Sequence, residues 1–200
     1  MIAALLVGYC AALDVADFFP TRAGTQWTYE TISNGPKMVS VTTAGEPVDV
    51  GDQPAFPFKT TVGGSLAEIM HYRTSADTVY VVAYKATQVL DEPRPILKLG
   101  EKGTKWEVDT NEDGLPLSLK NESALRGRRK ILDQDVDVIE LKVDAVLGDK
   151  NSMAMEFKQT AIYARGIGLA ELTEERKVSK KVYKRKVRLT KYVTPSAGGL

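Results

Sequence analysis

The chain predicts an all-β fold: a single, mostly antiparallel curved sheet forming a half-barrel, barrel or sandwich. Three observations carry this. Apolar residues recur with period two, most clearly in Ile139, Leu141, Val143, Ala145 and Leu147. Clusters of Gly, Pro, Asn and Asp separate these runs. No segment sustains a 3.6-residue period, so about ten strands in meander order are expected in one domain.

The tetrapeptide Gly-Thr-x-Trp occurs at Gly24–Trp27 and again at Gly103–Trp106, and it holds both tryptophans. Each copy reads as a glycine turn delivering a Trp to the inward side of a new strand. Trp27 to Thr31 alternates, Asn34-Gly35-Pro36 turns the chain, and Lys37 to Thr43 returns as the second arm of a hairpin. Phe56 to Val62 is extended and is punctuated by Gly63-Gly64. In Leu66 to Arg73, Leu66, Met70 and Tyr72 share one face and Ala67, Ile69 and His71 the other. Asp77 to Lys85 is apolar on both faces, as in a strand covered on both sides. Gln88 to Leu99 is interrupted by proline and fits an edge strand.

Trp106 to Val108 reads as a brief strand, followed by an acidic turn and the alternating Leu115, Leu117 and Leu119. Lys120 to Lys130 is polar and unpatterned and is expected to be a loop, with one helical turn at Glu122–Leu125. Val138 to Leu147 and Met153 to Tyr163 form a long hairpin around Gly148–Asn151. Gly166-Ile167-Gly168 permits a bend, and Val178 to Val193 reads as a last long strand.

The net charge of +1 argues against a protein dominated by nucleic-acid binding, although basic residues concentrate in the second half. A single cysteine, Cys10, excludes an intrachain disulfide. Met1 to Leu13 is apolar, too short to span a bilayer, and similar to the core of a secretory signal, with Ala12 and Ala16 as small residues at a cleavage point. Residues 1–16 are therefore expected to be a targeting segment, 17–193 one β domain and 194–200 a loose tail. The bulky Tyr9 argues against lipid attachment at Cys10.

Candidate chemistry is sparse. His71 is the only histidine, so the usual nucleophile–base pairs cannot be assembled; a strand residue with a satisfied hydrogen bond is expected. Asp109, Asn111 and Asp113, followed by Gly114, match the first half of a calcium loop. The twelfth position is Lys120 where a carboxylate is needed, so an acidic hairpin turn explains the same letters. Asp133, Asp135 and Asp137 share one strand face and could hold a cation, meet a basic strand or be merely solvated. A carboxylate-based hydrolase there, or around Asp109–Asp113, has no support beyond side-chain type. No cofactor is called for.

Two binding surfaces remain. Trp27, Trp106, Met153, Met155, Phe157 and Tyr163 could line an apolar cavity, Met adapting to irregular ligands. Lys180, Lys181, Lys184, Arg185 and Arg188 belong to a basic run that could meet an anionic surface, or could simply guard an exposed strand.

Four segments together resemble a known family. They are Phe18–Tyr29, Ile96–Leu99 running to Gly103–Trp106, Val136–Leu147 and Tyr163–Leu169. This order is similar to the bacterial envelope proteins grouped as TapB-like, whose chains open on "FPL-x-x-G-x-x-W-x-Y" and close on "YA-x-G-V-G-L-V". In that group a proline sits directly before the second Gly-x-x-Trp segment; here Pro95 lies earlier. The resemblance implies a secreted, antiparallel β protein akin to the lipoprotein-carrier half-barrels, with no catalytic residues to transfer. The combined expectation is a non-enzymatic, exported envelope protein, periplasmic or extracellular, that binds an apolar or lipid-like ligand or an envelope partner.

Overall fold

The computed structural model describes residues 14–85, 88–100, 103–112, 114–149, 154–179 and 181–195. Cys10 and most of the expected targeting segment, Asp113, Met153, Lys180 and the end of the tail lie outside the described residues.

After a short 3-10 helix at Val15–Asp17, the chain forms β1 (Gln26–Ser33), β2 (Met38–Ala44), β3 (Val48–Val50), β4 (Gln53–Val62), β5 (Ser65–Thr74), β6 (Thr78–Tyr84) and β7 (Gln88–Lys98). It continues through β8 (Thr104–Glu112), β9 (Leu115–Ile131), β10 (Gln134–Leu147), β11 (Met155–Ala164), β12 (Gly168–Val178) and β13 (Lys181–Val193). The class is all-β as expected, with thirteen strands in place of about ten.

The sheet runs β7-β6-β5-β4-β2-β1-β13-β12-β11-β10-β9-β8, with β3 pairing β4 off this path. The order is a meander whose first and last strands meet: Gln26 pairs with Val193 and Ser33 with Arg185. That pairing nearly closes a barrel. Among the described residues no ladder joins β7 to β8, and side chains bridge this seam. Arg94 pairs with Glu112 at 2.7 Å, Trp106 Nε1 donates to the Pro95 carbonyl at 3.3 Å, and the Ser123 hydroxyl donates to the Lys98 carbonyl. The prolines of β7 remove ladder donors, which suits an edge position and agrees with the sequence reading.

The segment leading into β1 crosses one end of the barrel. The Val15 amide donates to Ala76 in the β5–β6 turn, and the Gly166 amide in the β11–β12 turn donates to Asp17 at 2.6 Å. Arg165 reinforces the second anchor with an ion pair to Asp17 at 2.7 Å. Around these anchors Val15, Phe18 and Phe19 are buried and pack with Val79, Leu97, Trp106, Ile139 and Tyr163. A second cluster gathers Trp27, Tyr29, Val138, Ile162, Ile167 and Leu189. Trp27 and Trp106 are both buried, and Gly24 and Gly103 before them have positive φ, so both repeated turns place their Trp as the sequence suggests.

Two elements depart from expectation. Residues 120–130, read as a loop, belong to β9, which pairs with β10 from Ile131 to Leu117. Cross-strand charge pairs replace the apolar pattern here, including Arg126 with Glu140 at 3.1 Å and Lys105 with Glu122 at 3.6 Å. A bulge between Asp137 and Ile139 bends the hairpin, and its tip at Lys130–Asp133 shares a cleft with Ala170, Glu171, Arg188 and Leu189. The single last strand is also divided: Ser179 adopts φ 55° in the turn between β12 and β13.

His71 lies on β5 between Pro57 and Ala83 and is 2% exposed, but its Nδ1 has no hydrogen-bond partner among the described residues. The hydrogen bond expected for the ring is thus met only in part, by the backbone at Ala83. Burial pushes its pKa below the usual 6.5, opposed by a backbone hydrogen bond at Ala83. A depressed histidine pKa means the unfolded chain takes up the proton first. Its contribution to stability is therefore complete above about pH 6.5 and is lost as pH falls through the lower folded value. The melting temperature should fall as the pH drops below about 6.5, and less so in His71→Leu; parallel profiles for the two proteins would refute this role.

Candidate functional site

The fold carries a cavity of about 200 Å³ lined by seven strands and the segment that leads into β1. Cross-strand register explains its long wall. Trp27 on β1 is opposite Thr42 on β2, Thr42 is opposite Thr60 on β4, and Thr60 is opposite Glu68 on β5. One lateral row of the sheet thus presents Trp, Thr, Thr and Glu side by side. Period-two alternation then adds Phe58 from β4, and Met70 and Tyr72 from β5. Phe19 and Pro20 come from the crossing segment, Tyr29 from further along β1, Ile96 from β7, Tyr163 from β11, and Gly168 and Leu169 from β12.

The rings are organised against one another. Phe58 stacks between Phe19, with centroids 5.2 Å apart, and Trp27 at 5.3 Å, while Tyr72 meets Phe58 edge-on at 5.0 Å. Such contacts stabilise by about 0.5–1.5 kcal/mol each beyond burial. Gly168 lets this wall close. Its φ is +94°, and a Cβ there would stand 3.3 Å from Pro20 Cδ and 3.4 Å from Trp27 Nε1.

The polar atoms around the rings are mostly engaged. Trp27 Nε1 donates to the Ile167 carbonyl. The Tyr29 hydroxyl donates to the Leu169 carbonyl at 3.1 Å, and that of Tyr72 to Met70 Sδ at 3.2 Å. The Thr42 and Thr60 hydroxyls share a hydrogen bond of 3.0 Å. Burial pushes the phenols of Tyr29 and Tyr72 well above their ordinary range and that of Tyr163 up to about 12, so all three stay neutral at physiological pH. Among the described residues Glu68 is the only charged side chain in the lining, and it is exposed.

The residues proposed from sequence as cavity-lining are divided by the fold. Trp27 and Tyr163 meet in this cavity. Trp106 is a core residue beside the β7–β8 seam. Phe157 lines a separate cleft with Asp109, Leu117 and Lys158, and the Arg176 guanidinium lies 5.0 Å above its ring. Met155 opens β11 opposite Leu147 and Val178. Of the lining residues, the sequence singled out only Trp27 and Tyr163; those it missed include Phe58, Thr60, Glu68, Met70 and Tyr72. Their signal is the alternation of Phe56, Phe58 and Thr60 against Glu68, Met70 and Tyr72, which becomes meaningful once β4 and β5 are known to pair.

The basic run is spread over both faces of β13. Lys184 pairs with Glu175 at 2.9 Å and Lys186 with Glu171 at 3.5 Å, while Arg188 stands opposite Glu171 and Glu30. Arg185 points to the other face and binds Glu174 at 3.0 Å; Lys181 stands opposite Val178 at the strand's start. Asp109 and Asn111 lie on β8 opposite Ser118 and Pro116, because that strand extends through Glu112. Asp133 sits in the β9–β10 turn beside Lys130 at 3.3 Å, and Asp137 lies 3.7 Å from Arg165. Among the described residues no group of three or more His, Cys, Asp or Glu side chains is gathered as a metal site.

No family model matches the chain. No curated protein matches it either. Among solved structures the fold is similar to a candidate lipoprotein from Parabacteroides distasonis, with 11% identity over 88% of this chain and 98% of that one and a TM-score of 0.55. It is also similar to a candidate exported protein with a YmcC-like fold from Bacteroides fragilis, with 12% identity, the same coverage of 88% and 98%, and a TM-score of 0.53. At these identities what is shared is the architecture: the chain has the all-β fold of these two bacterial structures over nearly their whole length.

Proposed function

We propose that this is a non-enzymatic protein of the bacterial envelope that holds an apolar or lipid-like ligand in the aromatic cavity. The observation that carries the reading is the cavity itself: about 200 Å³ walled by aromatic rings, with most of its hydrogen-bonding groups already paired. Pockets of this kind bind by excluding water from apolar surface, with a few polar groups fixing orientation. The lone histidine is flanked by two lining residues, Met70 and Tyr72, but is itself not among the lining residues.

Export is supported by the apolar N-terminus and by the descriptions of the two similar structures as exported and lipoprotein chains. The TapB-like resemblance belongs to the same proposal. Val15 is fully buried in the core, so cleavage after Ala12 leaves the domain intact, whereas cleavage after Ala16 removes a core residue. Lipid attachment at Cys10 is read from the mass of protein extracted from its own membranes. The basic strand fits an interaction surface less well, because acidic neighbours on β12 offset Lys184 and Lys186.

Native mass spectrometry of protein purified from the envelope, with binding of the neutral apolar probe N-phenyl-1-naphthylamine to delipidated protein, tests the proposal. A non-covalent added mass and saturable probe binding that is lost in the cavity-filling variant Thr60→Phe are expected. Protein without added mass that also fails to bind the probe would overturn it.

A further inference from the structure

We infer that the ligand of this cavity carries a cationic nitrogen of the alkylammonium class, seated beside Glu68. The inference rests on the cavity being a ligand site and concerns the charge of what enters it. Among the described residues that line it there is no lysine or arginine, and Glu68 supplies the single full charge. Among the described residues Glu68 has no ion-pair partner. Its position is set by register, at the end of the Trp27–Thr42–Thr60 row, so a cation at Glu68 sits at the margin of the aromatic wall.

The hydrogen-bond inventory points the same way. An anionic head group needs donors, and Trp27, Tyr29 and Tyr72 direct theirs to Ile167, Leu169 and Met70. One proton of the Thr42–Thr60 pair and the Tyr163 hydroxyl remain, and both are neutral. A carboxylate or phosphate would therefore lose its water shell and meet a like charge at Glu68. A cation loses less. Aromatic faces attract it through their quadrupole, and an alkylated ammonium demands no hydrogen-bond acceptors. Burial is the main force that holds the protons on Tyr72 and Tyr84, and the charge of Glu68 adds to it.

The two readings separate in one titration. Octyltrimethylammonium, octanol and octanoate share a chain and differ in head-group charge. Each is titrated into delipidated protein by calorimetry at low salt. The cation should bind about tenfold more tightly than octanol, and octanoate most weakly, with the preference falling as salt rises. Glu68→Gln should bring the ratio of cation to octanol affinity close to one. Octanoate binding as tightly as the cation, or a preference that survives Glu68→Gln, would overturn the inference while leaving the apolar-cavity reading in place. Failure of all three to bind would remove both.

Discussion

Phe18→Ala is expected to lower the unfolding free energy by about 3–5 kcal/mol. Phe18 is fully buried, in a cluster with Val15, Val79, Leu97, Trp106 and Ile139. The strands around it are held by backbone ladders on both sides of the cluster and cannot collapse into the space left by the ring, so the cost of the void adds to the lost burial. The residue also precedes the sheet in sequence. The substitution therefore reports on whether the crossing segment is an integral part of the core. Urea unfolding followed by tryptophan fluorescence measures it, and Phe18→Leu should cost much less. A loss below about 1 kcal/mol would mean that this segment contributes little to the folded state, contrary to its packing.

Glu174→Ala should be the next most damaging change, at roughly 1–3 kcal/mol. Glu174 is only 4% exposed and stands in a lateral row with Val143, Gln159 and Arg185. Its carboxylate accepts from Gln159 at 2.6 Å and Arg185 at 3.0 Å, and lies 3.5 Å from Arg176. Removing it leaves two guanidiniums and an amide without their common acceptor. The arginine side chains are 42% and 44% exposed, so water recovers part of the loss and the cost stays below that of a fully buried pair. The double variant Glu174→Leu/Arg185→Leu should recover part of the stability, because only Arg176, which is partly exposed and lies over the Phe157 ring, then lacks its carboxylate. A double variant as unstable as the sum of its parts would show that the pair is not coupled.

Much of this architecture is legible in the amino-acid order. The hairpin at Asn34-Gly35-Pro36, the doubly covered β6, the edge character of β7 and the inward Trp27 and Trp106 all follow from local chemistry. What escapes is whatever depends on a distant partner. Residues 120–130 look like a loop because their polar side chains show no buried face, yet β10 supplies a complementary edge and the backbone pairs regardless. The closure of β1 on β13 leaves no local trace, since antiparallel pairing constrains backbone geometry more than side-chain type.

The cavity fails to be legible for a related reason. Its walls come from β1, β2, β4, β5, β7, β11, β12 and the crossing segment, and no stretch of sequence holds more than a few of them. Met155 and Phe157 carry the right side chains, but their strand places them away from Trp27 and Tyr163. Glu68 looks like any exposed carboxylate on a strand until Thr60 and Thr42 align it with Trp27.

The meeting of β1 with β13 also sets a timetable. A nascent chain ending at Val178 can form hairpins among its middle strands, but β1 still lacks one of its two neighbours and β12 presents an open edge. Only when residues 181–193 arrive do both edges vanish together. Contacts spanning so much of the sequence make for slow folding, and until then the exposed edges can pair with other chains. Such a molecule is better kept extended until it is complete, and a chain cut short before β13 would be sticky.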